Sequence, residues 1–242
     1  MRIQIFDTAE QVGQAAAMLL GAQLLRKPDS VLGLATGSSP IPIYDALARL
    51  YERGVLDFSR ATTFNLDEYI GLPAEHPQSY RYFMQQHLFS RVNIRPEATH
   101  IPNGCAPDMA AEAAAYDEAI RQAGGLDVQL LGIGRNGHIG FNEPGDCFIS
   151  RCHVVDLSES TIAANARFFD AAAEVPRQAI SLGIGRIMEA RQVLLVATGE
   201  SKREAIAQTI SGNITAKVQA SILQTHPNVL LLLDRNAAAG IT

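Results

Sequence analysis

The feature that most constrains this chain is a set of short runs that are apolar on successive residues. Val31–Ala35 (VLGLA), Val193–Ala197 (VLLVA) and Val229–Leu233 (VLLLL) have no polar residue, and Val128–Ile133 (VQLLGI) has a single Gln. A strand with no polar face is buried on both sides, as in a parallel sheet covered by helices. Further strands are expected at Arg2–Phe6, Ala61–Leu66 and Ala179–Gly183. Helix-like stretches lie between them. One runs from Ala9 to Leu25, capped by Asp7 or Thr8, and a second follows Pro40 and stops before Gly54. Others are expected at Ser79–Arg91, Met109–Ala123, Ser158–Phe169, Ser201–Ile210 and Thr215–Gln224. Strands alternating with helices predict an α/β fold with a mostly parallel sheet.

The 242 residues are 47% hydrophobic and 19% charged, enough apolar side chain for a substantial core. No Pro/Ser-rich linker or charge block divides them, so 1–242 reads as one domain. A net charge of −5 gives no bias toward nucleic acid or an anionic membrane. No uncharged apolar run approaches the roughly 18 residues of a spanning helix, and Asp7 and Glu10 interrupt any signal-like segment. Three Cys without a CxxC fit neither a disulfide framework nor a thiolate zinc site. A soluble, cytoplasmic protein is expected.

In open α/β sheets, ligands bind beyond the carboxyl ends of the strands. Four strand exits carry unusual polar residues. Thr36-Gly37-Ser38-Ser39-Pro40 leads into a helix, where free N–H groups suit a phosphate, although an ordinary cap turn looks the same. It is not a P-loop, since the required spacing and Lys are missing. Asn65-Leu66-Asp67-Glu68-Tyr69 places two acids in succession. Strand alternation sends them to opposite faces, so one can face a ligand while the other is structural. Gly132, Gly134 and Gly137 match GxGxxG, but the following HIGFNEPG is loop rather than helix, which excludes the dinucleotide reading. That loop holds Asn136, His138 and Glu143, and one His five residues from one Glu is no common metal spacing. Thr198-Gly199-Glu200-Ser201-Lys202 sets one of only three Lys at a helix start, where the dipole disfavours a cation unless an anion is bound.

Taken in order, ATGSSP, NLDEYIG, GIGRNGHIGFNEPG, ANARFF and TGESK resemble glucosamine-6-phosphate deaminases over nearly the whole chain. GHIGFNEPG with NLDEY is the specific part. The resemblance implies a Rossmann-like three-layer α/β/α fold. It implies conversion of glucosamine 6-phosphate and water to fructose 6-phosphate and ammonia, with no cofactor and no metal. It implies His138 for ring opening, supported by Glu143 and Asn136, and Asp67 as the base that moves a proton between sugar carbons. It implies Ser38, Ser39, Arg167 and Lys202 for the phosphate. A free Asp has a pKa of about 3.9 and is a weak base, so Asp67 is expected in an enclosed pocket.

Asn136 stands where longer members have Asp, and an amide cannot take a proton, so a positioning role is expected. His153 and Val155 replace a basic pair used by allosteric members for N-acetylglucosamine 6-phosphate. A monomer without activation by that ligand is expected. Gly71–Arg91 follows the proposed base and is expected either to cover the site as a lid or to be an ordinary packed helix. Two alternatives remain at this level. A 6-phosphogluconolactonase shares a similar loop and His but needs no carbon base. A sugar-phosphate-sensing regulator would need a DNA-binding unit, for which residues 1–30 offer no helix-turn-helix.

Overall fold

The computed structural model describes residues 1–166, 169 and 175–241. Its elements run β1 (Arg2–Phe6), α1 (Ala9–Arg26), β2 (Val31–Leu34), α2 (Ile41–Glu52), β3 (Thr62–Asn65), β4 (Asp67–Tyr69), α3 (Tyr80–His87), β5 (Thr99–His100) and α4 (Met109–Gln122). They continue with β6 (Val128–Leu131), β7 (His153–Asp156), α5 (Glu159–Asn165), β8 (Gln178–Ser181), α6 (Ile184–Met188), β9 (Val193–Ala197), α7 (Arg203–Ser211), β10 (Val229–Asp234) and α8 (Arg235–Ala238). Among the described residues, no helix is long and apolar enough to cross a membrane.

Seven strands form one parallel sheet in the order β1-β10-β9-β6-β2-β3-β5. The apolar runs occupy its centre, and every residue of β2, β6, β9 and β10 is buried. Helices flank this sheet, in keeping with the expected α/β class. Thr8 caps α1. Its hydroxyl accepts from the Gln11 amide, and the Gln11 side chain accepts in return from the Thr8 amide, which satisfies two orphan donors reciprocally.

Three further strands form a small antiparallel sheet, β4-β8-β7. The expected strand at Ala179–Gly183 therefore belongs here and not to the parallel sheet. The two sheets join at Leu66. Its amide donates to Leu34 of β2, and its carbonyl accepts from Leu182, just past β8. The chain leaves the large sheet at β3 and enters the small one at β4 within a single residue.

Thr215–Gln224 is not an α-helix. Thr215 and Val218 form an isolated bridge, and a 3₁₀ stretch follows at Gln219–Thr225. Ser221 bonds the amide and carbonyl of Thr215 through its hydroxyl, and Gln219 bonds neighbouring carbonyls, so these side chains compete with the helical ladder. The expected Ser158–Phe169 helix is described as α5, and Arg167 lies outside the described residues.

Candidate active site

The four exits singled out in the sequence follow β9, β6, β2 and β3, which are adjacent in that order at the centre of the sheet. Their loops converge on a cavity of about 1080 Å³. Ser38, Ser39, Asp67, Asn136, His138 and Lys202 all line it. A shallower hollow of about 440 Å³ between β1 and α1 shares no residue with it.

Asp67 opens β4 and is only 6% exposed. Its carboxylate accepts no hydrogen bond among the described residues. Burial, and secondarily the neighbouring Glu68 charge, push its pKa up to about 8. Glu68, one residue on, faces the other way. Its Oε1 accepts from the amides of Tyr69 (2.9 Å) and Tyr80 (2.8 Å), and its Oε2 accepts from Arg81 (3.0 Å). Ser79 accepts from Tyr82 in the same helix turn, so the first amides of α3 are satisfied by one acid and one cap. Burial raises the Glu68 pKa and the three N–H donors oppose it.

The Gly-rich segment after β6 is a loop, with Gly137 (φ 83°) and Gly140 (φ 56°) in left-handed backbone. Gly134 is Gly for a different reason: a Cβ there would lie 2.5 Å from the His138 ring. The imidazole packs flat on its own loop. Its Nδ1 is buried without a hydrogen-bond partner among the described residues, and Glu143 Oε2 lies 3.5 Å away. Asn136 Nδ2 donates to Glu143 Oε2 (2.8 Å), and Asn136 Oδ1 accepts from the His138 amide (3.2 Å). Asn136 thus bridges the acid and the backbone of the His. Burial pushes the Glu143 carboxyl up. The His138 imidazole and the donors Thr161 and Asn136 outweigh it and hold the pKa at about 2.

Across the loop, Ser38 and Ser39 follow the positive-φ Gly37 at the end of β2. Lys202 sits at the cap of α7, and its Nζ donates to the Ile133 carbonyl (2.5 Å). It spans the β9 and β6 exits at the mouth of the cavity. Among the described residues, no three His, Cys, Asp or Glu side chains converge as a metal-binding group.

Sequence reasoning missed three contributors. Thr161 of α5 lines the cavity and donates to Glu143 Oε1. Asp234 accepts from the Gly199 amide at 3.0 and 2.9 Å and from Ala237, tying the Lys202 turn to α8. Gln219 Nε2 donates to the carbonyls of Glu143 (3.1 Å), Cys147 and Ala216, bracing the loop from behind. Only the Asp ending LLLLD carried a local signal, that of a strand-end cap.

Residues 6–231 match the family model described as glucosamine-6-phosphate isomerases/6-phosphogluconolactonase. The chain belongs to that family. A relative from Halothermothrix orenii named glucosamine-6-phosphate deaminase is 53% identical over 239 residues, covering 99% of each chain. A solved structure described as a monomeric glucosamine-6-phosphate deaminase is 44% identical. It superposes with a TM-score of 0.97, over 99% of this chain and all of that one. The 6-phosphogluconolactonase of Trypanosoma cruzi shares the fold (TM-score 0.80, 100% and 97% coverage) at 19% identity. The family therefore holds two chemistries on one scaffold, and the sequence likeness here lies with the deaminases.

Proposed function

We propose that this enzyme converts D-glucosamine 6-phosphate and water to D-fructose 6-phosphate and ammonia. The observation that carries it is a buried carboxylate, Asp67, lining the same cavity as His138, which has Glu143 3.5 Å behind its ring. A lactonase has to open an ester and needs no base above a sugar carbon, whereas a deaminase does.

His138 takes the proton of the anomeric hydroxyl and returns it to the ring oxygen, which opens the sugar. Glu143, held by Asn136 and Thr161, steadies the imidazolium, as a carboxylate does in other His-based sites. The aldehyde acidifies the carbon bearing nitrogen. Asp67 removes that proton and delivers it to the neighbouring carbon, and the resulting imine is hydrolysed. A carboxyl raised to about 8 is a far stronger base than a solvated one, and its burial keeps it so.

Ser38, Ser39, Lys202 and, by resemblance, Arg167 take the phosphate. Hydroxyls, loop N–H groups and a point charge are the chemistry that anion needs. Tyr80 reaches the cavity from α3, while Met84, Leu88 and Phe89 are buried in the core. Any closure over the site is therefore read as a motion of the exposed Gly71–Gln78 stretch rather than of 71–91 as a unit. The chain is read as a cytoplasmic monomer forming a single catalytic domain. It is not activated by N-acetylglucosamine 6-phosphate, since His153 and Val155 lack the paired positive charge. The relative described as monomeric supports the reading as a monomer.

The test is a coupled assay with EDTA present. Glucosamine 6-phosphate is expected to give equal ammonia and fructose 6-phosphate, with hyperbolic kinetics unchanged by N-acetylglucosamine 6-phosphate. Hydrolysis of 6-phosphogluconolactone without ammonia from the amino sugar would overturn the assignment. Sigmoidal kinetics relieved by the acetylated sugar would overturn the claim of no activation.

A further inference from the structure

Thr161 is the third residue of α5, far in sequence from the Gly-rich loop and almost fully buried. Its amide donates to the Ser158 cap hydroxyl (3.2 Å), which fixes the helix start. Its own hydroxyl has a separate task. Ser158 Oγ donates to Thr161 Oγ1 (3.1 Å), and Thr161 Oγ1 donates in turn to Glu143 Oε1. The other Glu143 oxygen takes the Asn136 amide and faces the His138 ring. Glu143 is thus gripped on one oxygen from α5 and on the other from its own loop. A carboxylate with one free oxygen can rotate about its last torsion, which is broad and weakly restrained. With both oxygens held, only one orientation is left, and it aims Oε2 at Nδ1. Hydroxyls linked in series also polarise one another, so the Ser158–Thr161–Glu143 chain holds more firmly than a lone contact.

We infer that Thr161 is a positioning residue for the ring-opening step, orienting Glu143 toward His138 through its hydroxyl. This rests on reading His138 and Glu143 as the ring-opening pair. Thr161 makes no proton transfer itself. Its removal disorders the acid–base pair and leaves the cavity walls and the phosphate contacts in place.

The test uses full-length Thr161→Val, Thr161→Ser and Glu143→Gln, with the Thr161→Val/Glu143→Gln double variant. Val keeps the shape and β-branching of Thr and deletes only the hydroxyl. Thr161→Val is expected to lower kcat about 10-fold, part of the gain a positioned acid–base group supplies, with KM within about twofold. Thr161→Ser restores kcat. In the Glu143→Gln background the Val substitution costs nothing further, because the group it orients is already lost. A Val variant with unchanged kcat, a Ser variant as impaired as Val, or a full additional loss in the double variant would each overturn the inference. The ring ¹⁵N resonances of His138 provide a readout independent of turnover. They are expected to move in Thr161→Val and to return in Thr161→Ser, and unmoved resonances would overturn the contact. Wild-type protein that released no ammonia would overturn the functional reading instead, and the His138 resonances would still decide whether Thr161 sets that ring's surroundings.

Discussion

Asp67 and Glu68 are consecutive acids on opposite faces of β4, both almost wholly buried, and their surroundings could hardly differ more. Glu68 meets three backbone amides, two of them the first free N–H groups of α3. Asp67 meets none and lines the cavity instead. One acid therefore does the work of a helix cap, while the other is left with burial uncompensated and a pKa pushed to about 8. What separates the two carboxylates is the supply of N–H donors, and a helix start supplies them on one face only.

The largest expected effect separates the two by activity. Asp67→Asn should lower kcat about 1000-fold in the ammonia assay, within the range for losing a positioned base. Glu68→Gln should keep kcat within about 10-fold, since its carboxylate does not face the cavity. Equal losses in the two variants would break the distinction.

The second effect separates them by stability. Glu68→Gln replaces one acceptor oxygen with an NH₂ that confronts an amide. Leaving buried N–H groups unpaired costs about 1–3 kcal/mol, read as a lower denaturation midpoint with unchanged slope. An unaltered midpoint would mean that Glu68 is not holding α3.

A third effect sharpens the comparison through pH. The folded-state pKa of Asp67, about 8, lies above the value of about 3.9 for an unfolded chain. Its contribution to stability is therefore fully present below pH 4 and is lost as pH rises toward 8. Asn has no such loss. The melting temperature of Asp67→Asn minus that of wild type should grow more positive between pH 4 and 8. A difference constant across that window would contradict the uncompensated burial of Asp67. The same ionisation gives kcat/KM of the wild type an acid limb, rising toward pH 8 as free Asp67 becomes the base.

Much of this was legible in the sequence, and the reasons are particular. The VLLVA and VLLLL runs have no polar face, so a doubly covered parallel sheet was the natural reading. The polar residues directly after these strands then marked the cavity wall. The opposite facing of Asp67 and Glu68 follows from strand alternation alone. The small antiparallel sheet was not legible. Its β8, QAIS, is too short to show an alternating face, and its partners β4 and β7 are only three and four residues long. Pairing of that kind is decided by contacts far apart in sequence, such as Asp67 with Ser181. The same distance hid Thr161, 18 residues from Glu143, and Asp234, 35 from Gly199. A hydroxyl in a short helix and an acid at a strand end look like ordinary caps until the fold brings their targets to them.

The most direct test of the central claim follows the hydrogen on the sugar carbon bearing nitrogen, by NMR in ²H₂O with glucosamine 6-phosphate. Wild type and Glu68→Gln are expected to remove that hydrogen from its carbon during turnover. Asp67→Asn is expected to leave it in place even where the ring still opens. Removal of that hydrogen by Asp67→Asn at the wild-type rate would contradict the account, because another group would then be taking the proton.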